Sequence, residues 1–375
     1  MFIQKYNRDL NVLDAAKQRI AFIFDNYENI IVSISGGKDS SVLAYLSLIE
    51  ANKRNRKIGL FFLDEEVVYQ STVEQIDYLM SLYPANTNRL WLQIEFDLTN
   101  ATSFEESQLK CWQKGKHKIW MRSKDPRNII NPPWGNNVKF RSGYKWLDFY
   151  GVIENFEKMY ENTAFLVGLR ATESPNRWRA VSKNPVQIAG KSVFYGTQKP
   201  QNNVSFYPLY DWNFHDIWKY IYDNDIKYSK IYDYLFKKGF GINEIRISSL
   251  IHERSFKSLC ELPEFEPDTY AKLTERIKGI QFAQETGRNA KVFKAQKLPK
   301  NFKLWSEYRD FLLQTYPYTD KKEIFIKRFA KHLENEFVAR QQVRQLVLND
   351  YENNIPVNSK EDPRIELIKY YMEVL

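Results

Sequence analysis

Ser35-Gly36-Gly37-Lys38-Asp39-Ser40, followed by Ser41, stands between a short apolar run and a helix-forming stretch. Residues of these types in a strand-to-helix loop suit the holding of phosphates. The first amides of a helix are unpaired donors, and glycines let the backbone approach an anion closely. Lys38 adds a point charge, and Ser35, Ser40 and Ser41 add hydroxyl donors that follow phosphate oxygens. A Walker A loop needs a glycine five residues before Gly37, where this chain has Val32, and Ser or Thr after Lys38, where it has Asp39. Kinase-type P-loop chemistry is therefore excluded. The bland alternative is a glycine turn capped by serines.

A second cluster lies in Gly168-Leu169-Arg170-Ala171-Thr172-Glu173-Ser174-Pro175-Asn176-Arg177. Arg170, emerging at a strand end, can clamp a phosphate bidentately. Glu173 can fix that arginine or a ribose hydroxyl, and Arg177 adds a second fork. The competing reading is a surface salt-bridge cluster. Cys111 and Cys260 are the only cysteines and form no CxxC pattern, which points away from a disulfide framework, a zinc site or an iron–sulfur site.

Positioning such residues takes alternating strands and helices. Apolar spacing in residues 11–27 predicts a helix, and the β-branched run Asn29–Ile34 predicts a buried strand ahead of the glycine pair. Ser40–Ile49 reads as the helix after the loop. Ile58–Leu63 reads as a strand ending in Asp64-Glu65-Glu66, with a helix through Val73, Ile76, Leu79 and Met80 beyond it. Leu90–Phe96 and Ala164–Leu169 are the third and fourth candidate strands. The alternation implies an α/β fold with a mainly parallel sheet, helices on both faces and ligands beyond the strands' carboxyl ends. Residues 97–145, rich in Trp, Lys, Asn and Pro, form a long insertion of the kind that carries function. Past residue 250 strand signals cease. Helical patterns run through Tyr270–Thr286 and Lys321–Leu348, with Phe325, Phe329, Leu333 and Phe337 on one face. The expected organisation is a nucleotide-binding α/β domain over 1–250 and a helical C-terminal domain over 251–375.

With 375 residues and 43% hydrophobic content, the chain can build its cores without staples. No apolar run approaches the roughly 20 residues of a membrane span, and the start MFIQKYNRDLNVLDAAKQR lacks a signal-peptide stretch, so no membrane partner and a cytoplasmic location are expected. A net charge of +9 favours polyanionic partners, nucleotides or nucleic acid among them, although Lys, Asn, Ile, Tyr and Phe are also abundant in products of AT-rich genomes.

Ser35–Ser40 resembles the PP-loop of ATP pyrophosphatases, the superfamily that includes sulfonucleotide reductases, ATP sulfurylase small subunits and tRNA-thiolation enzymes. Gly168–Arg177 resembles the Gly-x-Arg-x-x-Glu-Ser-x-x-Arg signature of its phosphoadenosine-phosphosulfate (PAPS) reductase branch. Pro208-Leu209 with Trp212, Asp216, Ile217 and Trp218 resembles that family's Pro-Leu-x-x-Trp segment; here Asn213 would cap a helix docked through Ile217, Tyr220 and Ile221, with His215 a neighbour of the cap. Thr99–Ser103 and Trp120–Pro126 resemble a sub-branch of PAPS-reductase-like proteins related to the immunoglobulin-binding regulators, whose companions are ParB/sulfiredoxin-like proteins.

The resemblance implies an adenine nucleotide alpha hydrolase-like, Rossmann-like fold that takes ATP or a related adenine nucleotide with Mg2+. It implies Lys38, Asp39, Arg170 and Glu173 as catalytic. Ser35, Gly36, Gly37, Lys38, Asp39, Ser40, Ser41, Asp64, Arg170, Ser174, Arg177 and Arg122 are implied on the nucleotide, and Asp39 and Asp64 on the metal. For Asp64 the alternative is a plain solvated acid, and for Arg122 an exposed insertion arginine with no ligand. The implied reaction cleaves ATP between the α and β phosphates, leaves pyrophosphate on the loop and transfers AMP to an acceptor. A nucleotide-gated binding module, acting with a ParB/sulfiredoxin-like protein or nucleic acid, is the competing function. Sulfonucleotide reduction is disfavoured, because the tail Lys369–Leu375 lacks the Glu-Cys-Gly-(Leu/Ile)-His motif that supplies the nucleophile.

Overall fold

The computed structural model of the chain describes residues 10–103, 106–181, 185–242, 244–247, 249–287, 295 and 297–360. The extreme N-terminus and the tail Lys369–Leu375 read above lie outside them. Two compact units emerge, one of residues 1–96 and 111–249, the other of 97–110 and 250–375.

In chain order the first unit begins with α1 (Val12–Asn26), β1 (Asn29–Ser33), α2 (Lys38–Lys53), β2 (Ile58–Leu63), α3 (Gln70–Ser81) and β3 (Thr87–Leu92). After the short β4 (Phe96–Thr99) and β5 (Gln108–Cys111), it continues with α4 (Phe149–Glu157), β6 (Thr163–Val167) and α5 (Pro175–Val181). Then come β7 (Val186–Ile188), β8 (Lys191–Val193), β9 (Gly196–Gln198), β10 (Val204–Phe206), α6 (Phe214–Asp223) and α7 (Ile231–Lys237). The main sheet runs β3-β2-β1-β6-β10-β9, all parallel except for the antiparallel pair β10–β9. This is the Rossmann-like sheet the alternation predicts.

Alternation along the strands explains why both faces are covered. Ile30, Val32, Leu60, Phe62, Ala164 and Leu166 join one core cluster with residues of α1, α2, α3 and α6. Phe61 and Phe165 point the other way and meet Phe156 of α4 at 4.3 Å and Tyr160 at 6.1 Å, ring centre to ring centre. Strands apolar on both sides read as continuous hydrophobic runs, which is why they were visible in the sequence. The segment before α6 is fastened to α1: Arg19 donates to both oxygens of Asp211 at 2.7 and 2.5 Å, and Trp212 Nε1 donates to the Val12 carbonyl at 3.0 Å. Asn213 caps α6 in a capping box with Asp216, and Ile217, Tyr220 and Ile221 are buried as the sequence indicates.

Of the four strands read from the sequence, the third departs furthest, while the first and fourth differ by one or two residues at their ends. The third strand starts at Thr87 and stops at Leu92, and the chain resumes extended pairing only at Phe96. At that break the Gln93 amide nitrogen donates to the Ile129 carbonyl, so a loop takes over the ladder.

The second unit carries α8 (Phe256–Leu259), α9 (Leu262–Phe265), α10 (Pro267–Arg276), α11 (Ile280–Gly287), α12 (Trp305–Gln314), α13 (Thr319–Phe329) and α14 (Glu336–Val347). It is helical, as expected, but each long pattern is broken in two. Gly279, at φ +91°, turns the chain between α10 and α11, and Leu333, predicted on the buried face of one long helix, is 62% exposed in the turn between α13 and α14. Phe325 and Phe329 do reach the core, with Leu312, Tyr316, Val343, Leu346 and Tyr351. Residues 97–110, placed in the first domain by the sequence reading, are knit into this unit. Asn349 Nδ2 donates to the carbonyls of Asn100 and Ser103 at 3.0 and 2.9 Å, and the Ala101 amide donates to the Ile251 carbonyl at 3.0 Å. Among the described residues no helix is long and apolar enough to cross a membrane.

Candidate functional site

The glycine loop closes β1 and opens α2, whose N-cap, Gly37, offers no side chain to the first helical amides. The serines shape the turn. Ser40 Oγ accepts from the Ser35 amide at 3.1 Å, and the hydroxyls of Ser40 and Ser41 donate to the Gly37 carbonyl at 3.0 and 2.9 Å. Gly36 is obligatory twice over: its φ is +71°, and a Cβ there would lie 2.8 Å from Thr72 Cγ2. Tyr232 of α7 supports the helix start, its hydroxyl accepting from the Lys38 amide at 3.0 Å.

β6 lies beside β1 with Ser33 opposite Val167, so the ends of both strands reach one edge. Gly168 makes their closest approach feasible, because a Cβ there would sit 3.0 Å from both the Cα and the amide nitrogen of Ser40. Arg170 follows and is only 5% exposed. Its Nε donates to Asp39 Oδ1, and its Nη2 donates to Glu173 Oε1 at 3.1 Å. Asp39 Oδ2 also takes Lys38 Nζ at 2.9 Å, and Glu173 is paired in turn with Arg177. Lys38, Asp39, Arg170, Glu173 and Arg177 thus form one line of alternating charge. The fork read as a phosphate clamp is turned onto two carboxylates, and Ser174, read as a nucleotide contact, accepts from the Arg177 amide at 3.3 Å.

Burial pushes the Lys38 ammonium below its usual range, against the opposing pull of Asp39. Burial likewise raises the Tyr232 phenol. A cleft of about 250 Å³ lies here, lined by Lys38, Arg170, Glu173, Phe214, His215 and Arg246 among others. Phe214 and Tyr232 hold their rings 5.7 and 5.6 Å from Lys38 Nζ. Phe214, Tyr232 and Arg246 escaped the sequence reading; Phe214 follows the capping Asn213, but nothing local marks Tyr232 or Arg246.

Asp64 and Arg122 form a separate pair. Asp64 is fully buried: Trp91 Nε1 and Gln93 Nε2 donate to its Oδ2 at 2.8 and 3.0 Å, while the Glu66 amide, at 3.0 Å, and Arg122 Nη2 donate to its Oδ1. It is therefore neither a solvated acid nor one presented to a ribose. Arg122 Nη1 also donates to the Glu66 carbonyl at 2.8 Å, and the guanidinium lines a different hollow, of about 560 Å³, with Arg89, Trp91, Asp77 and Lys227.

Magnesium fits this donor set poorly. Both oxygens of Asp39 are taken by cations and both of Asp64 by four donors, and among the described residues no three His, Cys, Asp or Glu side chains converge as a cage. The two cysteines are buried, with Cys111 Sγ donating to the Glu65 carbonyl and Cys260 Sγ to the Phe256 carbonyl, both at 3.2 Å.

Residues 29–239 match the family described as the phosphoadenosine phosphosulfate reductase domain, and residues 239–362 match a domain of unknown function, DUF3440. The Escherichia coli K12 protein YbdN is 25% identical over 341 residues, covering 88% of this chain and 83% of its own. An adenosine 5'-phosphosulfate reductase of Staphylococcus saprophyticus is 25% identical over 223 residues, 59% of this chain and 73% of its own. Among solved structures, a phosphoadenylyl-sulfate reductase from Candida auris covers 62% of this chain and 87% of its own at a TM-score of 0.36 and 14% identity.

Proposed function

The chain belongs to the phosphoadenosine phosphosulfate reductase domain family, and within it we propose an ATP pyrophosphatase that activates an acceptor by adenylylation, without sulfur reduction. One observation carries the reading: a helix start whose N-cap, Gly37, gives no side chain, with Gly36 and the buried Lys38, opens into a cleft at the carboxyl edge of a parallel sheet. In the proposed reaction the acceptor's nucleophile attacks the α-phosphorus of ATP and the bond to the β-phosphate oxygen breaks. Pyrophosphate leaves on the loop amides and Lys38, and AMP remains on the acceptor. Asp39 holds Lys38 in place, Arg170 holds Asp39 and is itself held by Glu173, and the half-exposed Arg177 reaches the nucleotide or its acceptor. The carboxylates of Asp39 and Glu173 are spent on cations and are not left to hold a metal ion. Sulfonucleotide reduction would need an accessible thiol, and both cysteines are buried.

The test is incubation with magnesium and ATP, alone and then with candidate acceptors. AMP with pyrophosphate is expected, and ADP with phosphate overturns the proposal. A nucleotide-gated binding module is the second reading, favoured by the closed line of charges, which an incoming anion must re-pair. Tight ATP binding without turnover under every condition would select it.

A further inference from the structure

Charge is distributed very unevenly along the chain. Residues 111–145 hold nine lysines and arginines against one acid, Asp125, a net +8 in a chain whose total is +9. Three of these cations are spent locally: Arg122 on Asp64, Arg127 on Asp77 and Asp125, and Arg141 on Asp148. The remaining six are lysines. Among the described residues none of them, Lys114, Lys116, Lys118, Lys124, Lys139 or Lys145, has a carboxylate at ion-pair distance, and all but Lys124 are exposed.

Aromatic rings are interleaved with this charge. Trp120, Trp134, Phe140 and Tyr144 fall in the same 35 residues, beside the fully buried Trp112. Lys124 Nζ lies 5.2 Å from the Trp120 ring, the Arg141 guanidinium 4.6 Å from Tyr144, and Phe140 is 52% exposed. Between Trp112 and the start of α4 the only helix among the described residues is one turn, His117–Ile119, and Gly115, Gly135 and Gly143 bend the chain at positive φ.

We propose that this segment is a binding surface for single-stranded nucleic acid. Lysines without a carboxylate at ion-pair distance track a phosphate backbone, and the exposed Phe140 ring, with the half-buried Trp120, Trp134 and Tyr144, stacks on splayed bases. A duplex is the poorer fit, because reading a groove takes a helix or a β-ribbon and the segment has neither. A membrane surface is poorer too, since it needs an apolar face to insert, and only Ile130 and Phe140 are exposed large hydrophobics here. The surface does not depend on the nucleotide chemistry proposed above and stands or falls separately.

The experiment is a fluorescence-anisotropy titration of labelled 20-nucleotide oligo(U) and oligo(dT) with the full chain, from roughly 50 to 200 mM NaCl. Binding should weaken steeply with salt, with a log–log slope of about −3 to −4 for some five phosphate contacts. Lys114→Gln with Lys116→Gln and Lys118→Gln should make the slope shallower by about 2. Phe140→Ala should weaken binding roughly 5- to 100-fold at an unchanged slope. Lys139→Gln with Lys145→Gln provides a second charge variant if the first melts early. No binding at 50 mM salt, a parental slope in both charge variants, or an unaffected Phe140→Ala protein would each overturn the proposal. So would anionic phospholipid vesicles binding more tightly than either oligonucleotide.

Discussion

The carboxyl edge of the sheet and residues 111–145 both gather cations, but in opposite ways. At the edge Lys38, Arg170 and Arg177 each face a carboxylate, and the first two are almost wholly buried. In the basic segment none of the six lysines has a carboxylate at ion-pair distance among the described residues. Paired, buried charge fixes atoms in place and makes a ligand compete with an existing partner. Unpaired surface charge fixes little and attracts polyanions over about a Debye length, so its effect lives on ionic strength. One region is built for position and the other for capture.

The hardest blow to this contrast is Asp39→Ala, which leaves two buried cations without their shared partner. Stripping one member from a buried pair costs about 3–5 kcal/mol. Urea unfolding should register a loss of that order together with loss of ATP binding; a variant of parental stability would mean that the line of charges is not held as described. Salt sharpens the contrast from the other side. Between 50 and 200 mM NaCl, oligonucleotide affinity should fall roughly 100-fold, whereas ATP affinity in the partly buried cleft should change by no more than about threefold. Parallel salt curves would erase the distinction. Gly168→Ala pushes a methyl group into backbone atoms 3.0 Å away and should cost about 1–3 kcal/mol, whereas Gly37→Ala meets only Ser35 Oγ at 3.3 Å and Tyr232 Oη at 3.5 Å and should cost less. Reversed ranking in urea denaturation would show that β6 and α2 do not meet at Gly168. Smallest of all, the three-lysine variant should alter stability by no more than about 0.5 kcal/mol, as befits exposed side chains.

Legibility in the sequence followed the range of the interactions. β1, the loop and α2 were readable because an apolar run, two glycines and a helical stretch lie within about 25 residues and need no distant partner. Arg170 and Glu173 were readable as a cluster, but their partner Asp39 sits 131 positions upstream of Arg170, so a fork aimed at phosphate and one aimed at an acid look alike in the sequence. Asp64 was misjudged for the same reason: Trp91, Gln93 and Arg122 bury it from 27, 29 and 58 residues away. The C-terminal helices were seen but drawn too long, since periodicity carried through Leu333 where the chain in fact turns.

Asn349 and Asn100 are joined by a hydrogen bond across 249 residues. During synthesis residues 97–110 leave the ribosome long before the helices that hold them, and they wait for almost the whole chain before β4 and β5 gain their unit. A fragment cut at residue 250 would therefore carry an orphaned strand pair, and the complementary fragment would lack the carbonyls that Asn349 binds. Neither piece is a natural unit of folding, even though the two family matches meet end to end at residue 239.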